Sequence, residues 1–387
     1  MNNSALDEFQ QRVTREGAGP ALEFLIDQLR REERFHELFE ALKMQLRHRM
    51  QLPIQGNESS DALDPAIRDQ YENGLIEVCR DVGMELFRAG RFREGWMYLR
   101  PVGDRQAVIA VLDQCTPTDD RIDEIIEVCL HEGVDPPRGF RLMLDKYGTC
   151  NTITTFESHQ AALDLSTRQC VASILVRHLY DELVANIQGH IERQEGLVPA
   201  QSSLGELLQG RPWLTAEGNY HIDVSHLGAV VRFAEILDAP NELRRALELS
   251  QYGETLDESL RYPGEEPFRD NYGAHRLYYE ALLDISREPA LEFFQERALF
   301  VDPHYDSTLA VEVYVDLCVR CGRGDEAFRF ALEHLPPGTH TRGIAPPLVE
   351  LARATKQTAA LAQLYRDRDD LFGFAMTLLL GQSDETS

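Results

Sequence analysis

Hydrophobic positions recur at helical spacing over most of this chain. In the stretch Cys79 to Arg100, CRDVGMELFRAGRFREGWMYLR, Val82, Leu86 and Phe87 share one helical face; Ala89-Gly90 interrupts it, and Phe92, Trp96 and Leu99 open a second face. Gly90 can take the left-handed conformation that ends a helix. The pattern predicts two helices joined by a tight turn, with Phe92 and Trp96 buried and Gly83 and Gly95 at close helix contacts.

The same lettering returns twice. Leu29, Arg34, Phe35, Glu37, Phe39 and Leu42 align without a gap on Leu86, Arg91, Phe92, Glu94, Trp96 and Leu99, and only the Phe39/Trp96 pair differs. A third copy sets Gly322, Arg323, Glu326, Ala327 and Phe328 on Gly90, Arg91, Glu94, Gly95 and Trp96, and Pro336-Pro337 closes its second helix. Self-similarity of this kind marks stacked supersecondary units.

These residues resemble tetratricopeptide-type helical repeats. That family places a small residue midway in the first helix, a glycine at the turn, an aromatic two residues on, and a small residue early in the second helix. Gly83, Gly90, Phe92 and Gly95 fill those places in one copy; Gly322 and Ala327 fill two of them in another. Glu33 stands where the first copy should carry its turn glycine, and Gly324 where the third should carry its aromatic. The resemblance implies an all-α fold, an α-solenoid of antiparallel hairpins whose concave face holds a peptide or protein segment.

The rest of the chain divides around this text. Residues 1–146 read as N-terminal hairpins. One helical face there carries Ala21, Phe24, Leu25 and Leu29, the next Phe35, Leu38, Phe39, Leu42 and Leu46, and a polar loop over 51–64 leads to a cap and first helical position at Asp64-Pro65. Residues 147–223 form a distinct middle. Tyr147 to Phe156 is rich in Thr and Gly, hence a loop or short extended segment; a helix over 158–194 follows; Trp213, Thr215, Tyr220 and Ile222 alternate about a Glu-Gly-Asn turn as in a small β-hairpin. Residues 224–387 return to hairpins, with helices expected over 224–238, 240–250, 273–286, 288–299, 306–321, 325–334, 347–354 and 357–380, a polar loop over 251–272, and a frayed tail.

Composition narrows the partners. The 387 residues exceed a single compact core and suit several domains or a solenoid. The formal net charge is -26, from 65 acids against 39 bases, which disfavours nucleic acid and anionic membrane surfaces and favours a protein or peptide with a basic patch. Two stretches concentrate the acid. Asp113 to Asp135 holds eight acids against Arg121 alone, a candidate electronegative face, and a loop carries Glu254, Asp257, Glu258, Glu265, Glu266 and Asp270. Lys43, Lys146 and Lys356 are the only lysines, which reads as a GC-rich, bacterial coding bias. Seven scattered cysteines without an amino-terminal signal region read as a reducing cytoplasm, and no apolar run has membrane-spanning length.

Candidate chemistry is sparse. His221, Asp223 and His226 are the right ligand types for zinc or iron, yet Asp223 also suits a helix N-cap and His226 its capping-box partner. Cys318 and Cys321 form a lone CxxC inside a helix, where core packing explains both. Cys150 lies in the segment read as non-helical, where its thiolate could be exposed with His159 or His221 as base. Two functions follow. One is a binding scaffold without catalytic activity or cofactor; the other is an enzyme or metal-binding protein with a site around Cys150, His221, Asp223 and His226.

Overall fold

The computed structural model describes residues 3–54, 64–200, 203–300, 307–335 and 337–383. Most of the loop expected over 51–64, Pro336 of the closing pair and the last four residues of the tail lie outside that set. All regular structure among the described residues is helical. The chain forms two units, Met1–Thr152 and Ile153–Ser387.

The first unit begins with α1 (Asn3–Glu16), α2 (Ala18–Arg31), α3 (Phe35–Arg49), α4 (Pro65–Arg88) and α5 (Phe92–Leu99). After them come α6 (Arg105–Leu112), α7 (Ile122–Ile126), which runs on as a π-helical turn, and α8 (Pro136–His159), within which the unit ends. Consecutive helices from α1 to α5 pack on one another. Asp64 caps α4 through a bond from Ala66 N at 3.0 Å, and Pro65 takes the first helical position. Ile26, Leu29, Leu38, Val82 and Leu86 fill the seam of α2, α3 and α4; Phe87, Phe92, Trp96, Val108 and Ile125 fill the next. Gly83 and Gly95 let α4 and α5 meet backbone to backbone. A Cβ on Gly95 would lie 2.4 Å from Phe87 Cδ2 and 2.9 Å from the Gly83 carbonyl oxygen.

The second unit contains α9 (Leu165–Glu195), about 46 Å long at 1.5 Å per residue. Its apolar stripe, Val171, Leu175, Leu179, Leu183 and Ile187, is fully buried. Then come α10 (Leu204–Leu208), α11 (Val224–Phe233), α12 (Pro240–Thr255), α13 (Asn271–Leu282), α14 (Arg287–Phe300) and α15 (Leu309–Arg320). The last helices are α16 (Gly324–His334), α17 (Leu348–Ala354), α18 (Thr358–Asp367) and α19 (Leu371–Ser383).

One turn recurs in both units. Glu33, Gly90, Asp284, Gly322, Lys356 and Asp369 all have φ between 53° and 78°. In each case the following N–H reaches the carbonyl five residues back: Arg34 to Leu29 (3.0 Å), Arg91 to Leu86 (2.9 Å), Ile285 to Glu280 (2.9 Å), Arg323 to Cys318 (2.8 Å), Gln357 to Ala352 (2.7 Å) and Asp370 to Tyr365 (3.0 Å). This is a Schellman closure. It satisfies the last carbonyls of one helix and starts the next within three residues. The repeated Arg and Glu of the three sequence copies also find their reason here. Arg34 pairs with Glu37 at 2.9 Å, Arg91 with Glu94 and Arg323 with Glu326 at 3.4 Å, each an i,i+3 pair that places a carboxylate in the first turn of the second helix.

Four expectations are corrected. The β-hairpin at Trp213–Ile222 is absent, and 3-10 turns occupy 212–214 and 216–218. Pro212 fixes a helical φ at its start, and the His221 N–H that a ladder would need donates to Tyr252 Oη at 2.9 Å. Tyr147 to Phe156 is helical apart from a kink at Gly148 (φ 79°, ψ 177°), because Ile153 and Phe156 are buried, while the Asn151 and Thr152 side chains donate to carbonyls four residues back. The 251–272 loop shrinks to 256–270, so Tyr252 and Tyr272 are core residues of α12 and α13. The helix over 357–380 is two helices, divided at Asp369.

Two substitutions test this packing. Gly95→Ala should destabilise the first unit by about 1–3 kcal/mol through overpacking, whereas Gly205→Ala, with open space around its Cβ, should stay within about 0.5 kcal/mol of wild type. Urea unfolding measures both, and equal effects would mean that α4 and α5 are not in backbone contact. Glu33→Gly should stabilise by about 0.5–1 kcal/mol, because glycine lacks the Cβ that strains a left-handed residue; a loss of stability would refute the left-handed assignment.

Candidate functional site

The residues singled out in the middle of the chain do different jobs. Cys150 is exposed on α8 in the first unit; His221, Asp223 and His226 belong to the second. Asp223 is the N-cap of α11, its Oδ1 accepting from Ser225 N at 2.9 Å and His226 N at 3.2 Å. His221 joins α9 to α12. Its Nε2 is 2.8 Å from His190 Nδ1 and its Nδ1 is 3.1 Å from Tyr252 Oη.

Donor bookkeeping orders this chain of groups. Tyr252 Oη accepts the backbone N–H of His221, so its own proton is available to His221 Nδ1. His221 Nε2–H then donates to His190 Nδ1, an arrangement that uses the neutral His221 imidazole. Burial, then the neighbouring His190 and Arg193, push the His221 imidazole down to about 4. Burial pushes the Tyr252 hydroxyl up. Sequence reasoning missed His190 and Tyr252, each 31 residues from His221 with no motif spacing between them. Among the described residues no group of three or more His, Cys, Asp and Glu side chains could hold a metal ion.

The CxxC thiols serve packing. Cys318 is buried, with its thiol pushed up to about 12 by burial, and Cys321 Sγ lies 3.8 Å from the Ala281 carbonyl. The acid-dense stretch also differs from expectation. Asp113 and Asp135 both bond Arg138, Asp123 bonds Lys146 at 2.6 Å, Glu127 bonds Arg93, and Glu132 accepts from Trp96 Nε1 at 2.9 Å. Four bases outside the segment, Arg93, Arg100, Arg138 and Lys146, pair with five of its eight acids.

A pocket of about 240 Å³ in the second unit has a more unusual wall. Its sides come from α11 and the 3-10 turn after it, the 256–270 loop, α13, α14, α15 and the segment around Arg342–Ile344. Asn271, 3% exposed, is among its lining residues, and its Nδ2 has no acceptor, an arrangement that costs about 1–3 kcal/mol. His275, one helical turn on, donates from Nδ1 to the Asn271 carbonyl at 2.6 Å, and its Nε2 lies 2.9 Å from Glu235 Oε1 without hydrogen-bond alignment.

Both ends of the pocket are tied down. At one end Tyr278 Oη donates to Asp316 at 2.6 Å and accepts from Arg320 at 2.9 Å, while burial pushes the Asp316 carboxyl up. Arg320 also bonds the Glu235 and Leu237 carbonyls. At the other end Glu312, fully buried, accepts the N–H groups of Arg342 (2.7 Å) and Ile344 (2.9 Å), and Arg342 forms a two-armed pair with Glu265 (2.8 Å for one arm). Sequence reading could not assemble these residues. Asn271 and Glu265 fall in text that looks like a polar loop, and Glu235, Glu312 and Arg342 come from three further segments.

No family model matches the chain, and neither does any curated protein or solved structure. No helix among the described residues is long and apolar enough to cross a membrane.

The neutral imidazole predicts a pH dependence. His221 has a lowered folded pKa, so its stabilising contribution is full above the unfolded value of 6.5 and is lost as pH falls from there toward about 4. The full shift would exceed 3 kcal/mol at about 1.4 kcal/mol per unit; His221 is only half-buried, so screening reduces the expected effect to about 1–2 kcal/mol. The stability difference between wild type and His221→Gln should shrink by that amount between pH 7 and 4.5. A difference that stays constant in denaturant titrations would show that His221 charges without penalty.

Proposed function

We propose that the chain is a helical-repeat binding protein, a solenoid of tetratricopeptide-like hairpins that holds a peptide or protein segment carrying basic residues. The recurring Schellman closure carries this reading. The three turns that sequence similarity picks out, at Glu33, Gly90 and Gly322, share it with three turns that the similarity does not reach, so the hairpin is a repeated unit of construction. Charge supports the choice of partner. Although the Asp113–Asp135 acids are largely answered, the net charge of -26 gives a field that attracts cationic segments and repels anionic ones. The enzyme reading has less support, because His221 and Asp223 are engaged in joining α9 to α12 and in capping α11.

Fluorescence anisotropy with labelled peptides of matched apolar content tests the proposal. Basic peptides should bind, acidic ones should not, and affinity should fall as sodium chloride rises to about half molar, where the screening length drops below about 5 Å. Equal binding of both charge types, or affinity that ignores salt, would overturn the electrostatic part; no binding by any member of the set would overturn the reading itself.

A further inference from the structure

We propose that the pocket lined by Asn271, His275 and Glu235 receives the side chain of an arginine or lysine from the bound segment; this rests on the reading of the chain as a binder of basic segments. Three independent properties of the wall point to that occupant.

The first is charge. The guanidiniums of Arg232, Arg320 and Arg342 stand at or beside the pocket, and each is engaged by carboxylates: Arg232 by Glu157 at 2.7 Å, Arg320 by Asp238 at 3.0 Å and by Asp316 at 3.9 Å, Arg342 by Glu265. Both guanidiniums that line the pocket, Arg232 and Arg342, are thus answered by carboxylates, and Glu235 and Glu265 are the carboxylates among its lining residues. Glu235 lines the pocket with the His275 imidazole as its close neighbour, where the other wall carboxylate, Glu265, has a guanidinium. An incoming ammonium or guanidinium would answer that carboxylate with a charge-assisted hydrogen bond.

The second is shape and polarity. Phe268, Phe294, Val313 and Ile344 give the pocket an apolar lining suited to a methylene stem. Its volume of about 240 Å³ is below the roughly 300–1,000 Å³ of pockets for drug-sized ligands, so it suits one long side chain.

The third is the orphaned amide. Asn271 Nδ2 is enclosed and no hydrogen bond holds it, so rotation about its terminal torsion can turn it to the cavity that the residue lines. A backbone carbonyl of the segment supplies the missing acceptor. Asn271 and His275 are one turn of α13 apart, about 6 Å, and His275 touches Glu235. Asn271, His275 and Glu235 thus form one connected set of lining residues, with an amide for a carbonyl and a carboxylate for a cation.

The test uses N-acetyl-arginine amide and its uncharged analogue N-acetyl-citrulline amide, titrated into the full chain by calorimetry. The arginine probe should bind saturably and the citrulline probe at least about tenfold more weakly, with a similar loss of arginine binding in Glu235→Gln. Ile344→Trp, at the partly exposed rim, should block the pocket and abolish binding without removing any charge. Equal affinity for the two probes, or full arginine binding in both variants, would overturn the proposal. The two readings fail separately. A long basic peptide that binds wild type, Glu235→Gln and Ile344→Trp alike leaves the binder intact and removes the pocket, whereas a chain that takes the arginine probe but no basic peptide keeps the pocket and removes the binder.

Discussion

The fold depends on how little chain it takes to reverse a helix. A single residue in the left-handed conformation, followed by an N–H that bonds five residues back, ends one helix, satisfies its carbonyls and begins the next. Because the connection is so short, successive helices must lie antiparallel and touching. The buried seams follow from that contact. Where the helices approach most closely, at Gly83 and Gly95, neither position tolerates a side chain; where they stand further apart, Phe35 and Phe92 occupy the first position after the turn and fill the seam.

This constraint explains what was legible in the sequence. The Arg-Phe-x-Glu lettering could be read because three chemical needs coincide within four residues: a reversal, an apolar plug and an acid at a helix N-terminus. Glycine marked only two of the six reversals, Gly90 and Gly322. The other four carry Glu33, Asp284, Lys356 and Asp369, which bear a strain of about 1–2 kcal/mol each that the flanking packing overrides. No propensity argument finds such positions. The opposite error arose at Tyr147–Phe156 and Trp213–Ile222, where residues that disfavour helices or favour strands were overruled by tertiary contacts: burial of Ile153 and Phe156 in one case, the bond from the His221 N–H to Tyr252 in the other. The pocket was illegible for a different reason. Its charged and polar lining comes from separate helices and loops, so no spacing rule connects its members.

Charge shows the same limit. Counting acids along Asp113–Asp135 suggested an open negative face, but the neutralising bases come from α5 and α8, up to 34 residues away in sequence. A local count cannot see partners that the fold supplies. The net charge of the chain survives this pairing, since every ion pair removes one charge of each sign.

Buried polarity separates the two units more sharply than their helices do. Arg47 and Thr152 are the buried polar residues described in the first unit, whereas the second contains Glu242, Ser250, Asn271, His275, Thr308, Glu312 and Thr377. Carboxylates are expensive to bury, and those here are matched: Glu242 meets Arg177 at 2.7 Å and Arg245 at 3.1 Å, and Glu312 accepts two backbone N–H groups. Five buried side-chain atoms among the described residues lack a partner, and two of them, Asn271 Nδ2 and His275 Nε2, belong to residues that line the same pocket. A chain that supplies partners for buried charges, and holds the surrounding segments in place with Glu312, Arg320 and the Arg342–Glu265 pair, has left a donor of an ordinary amide without one. Such departures from local satisfaction concentrate where a protein has something to bind, because an acceptor supplied by a ligand is the one partner that the isolated chain cannot contain.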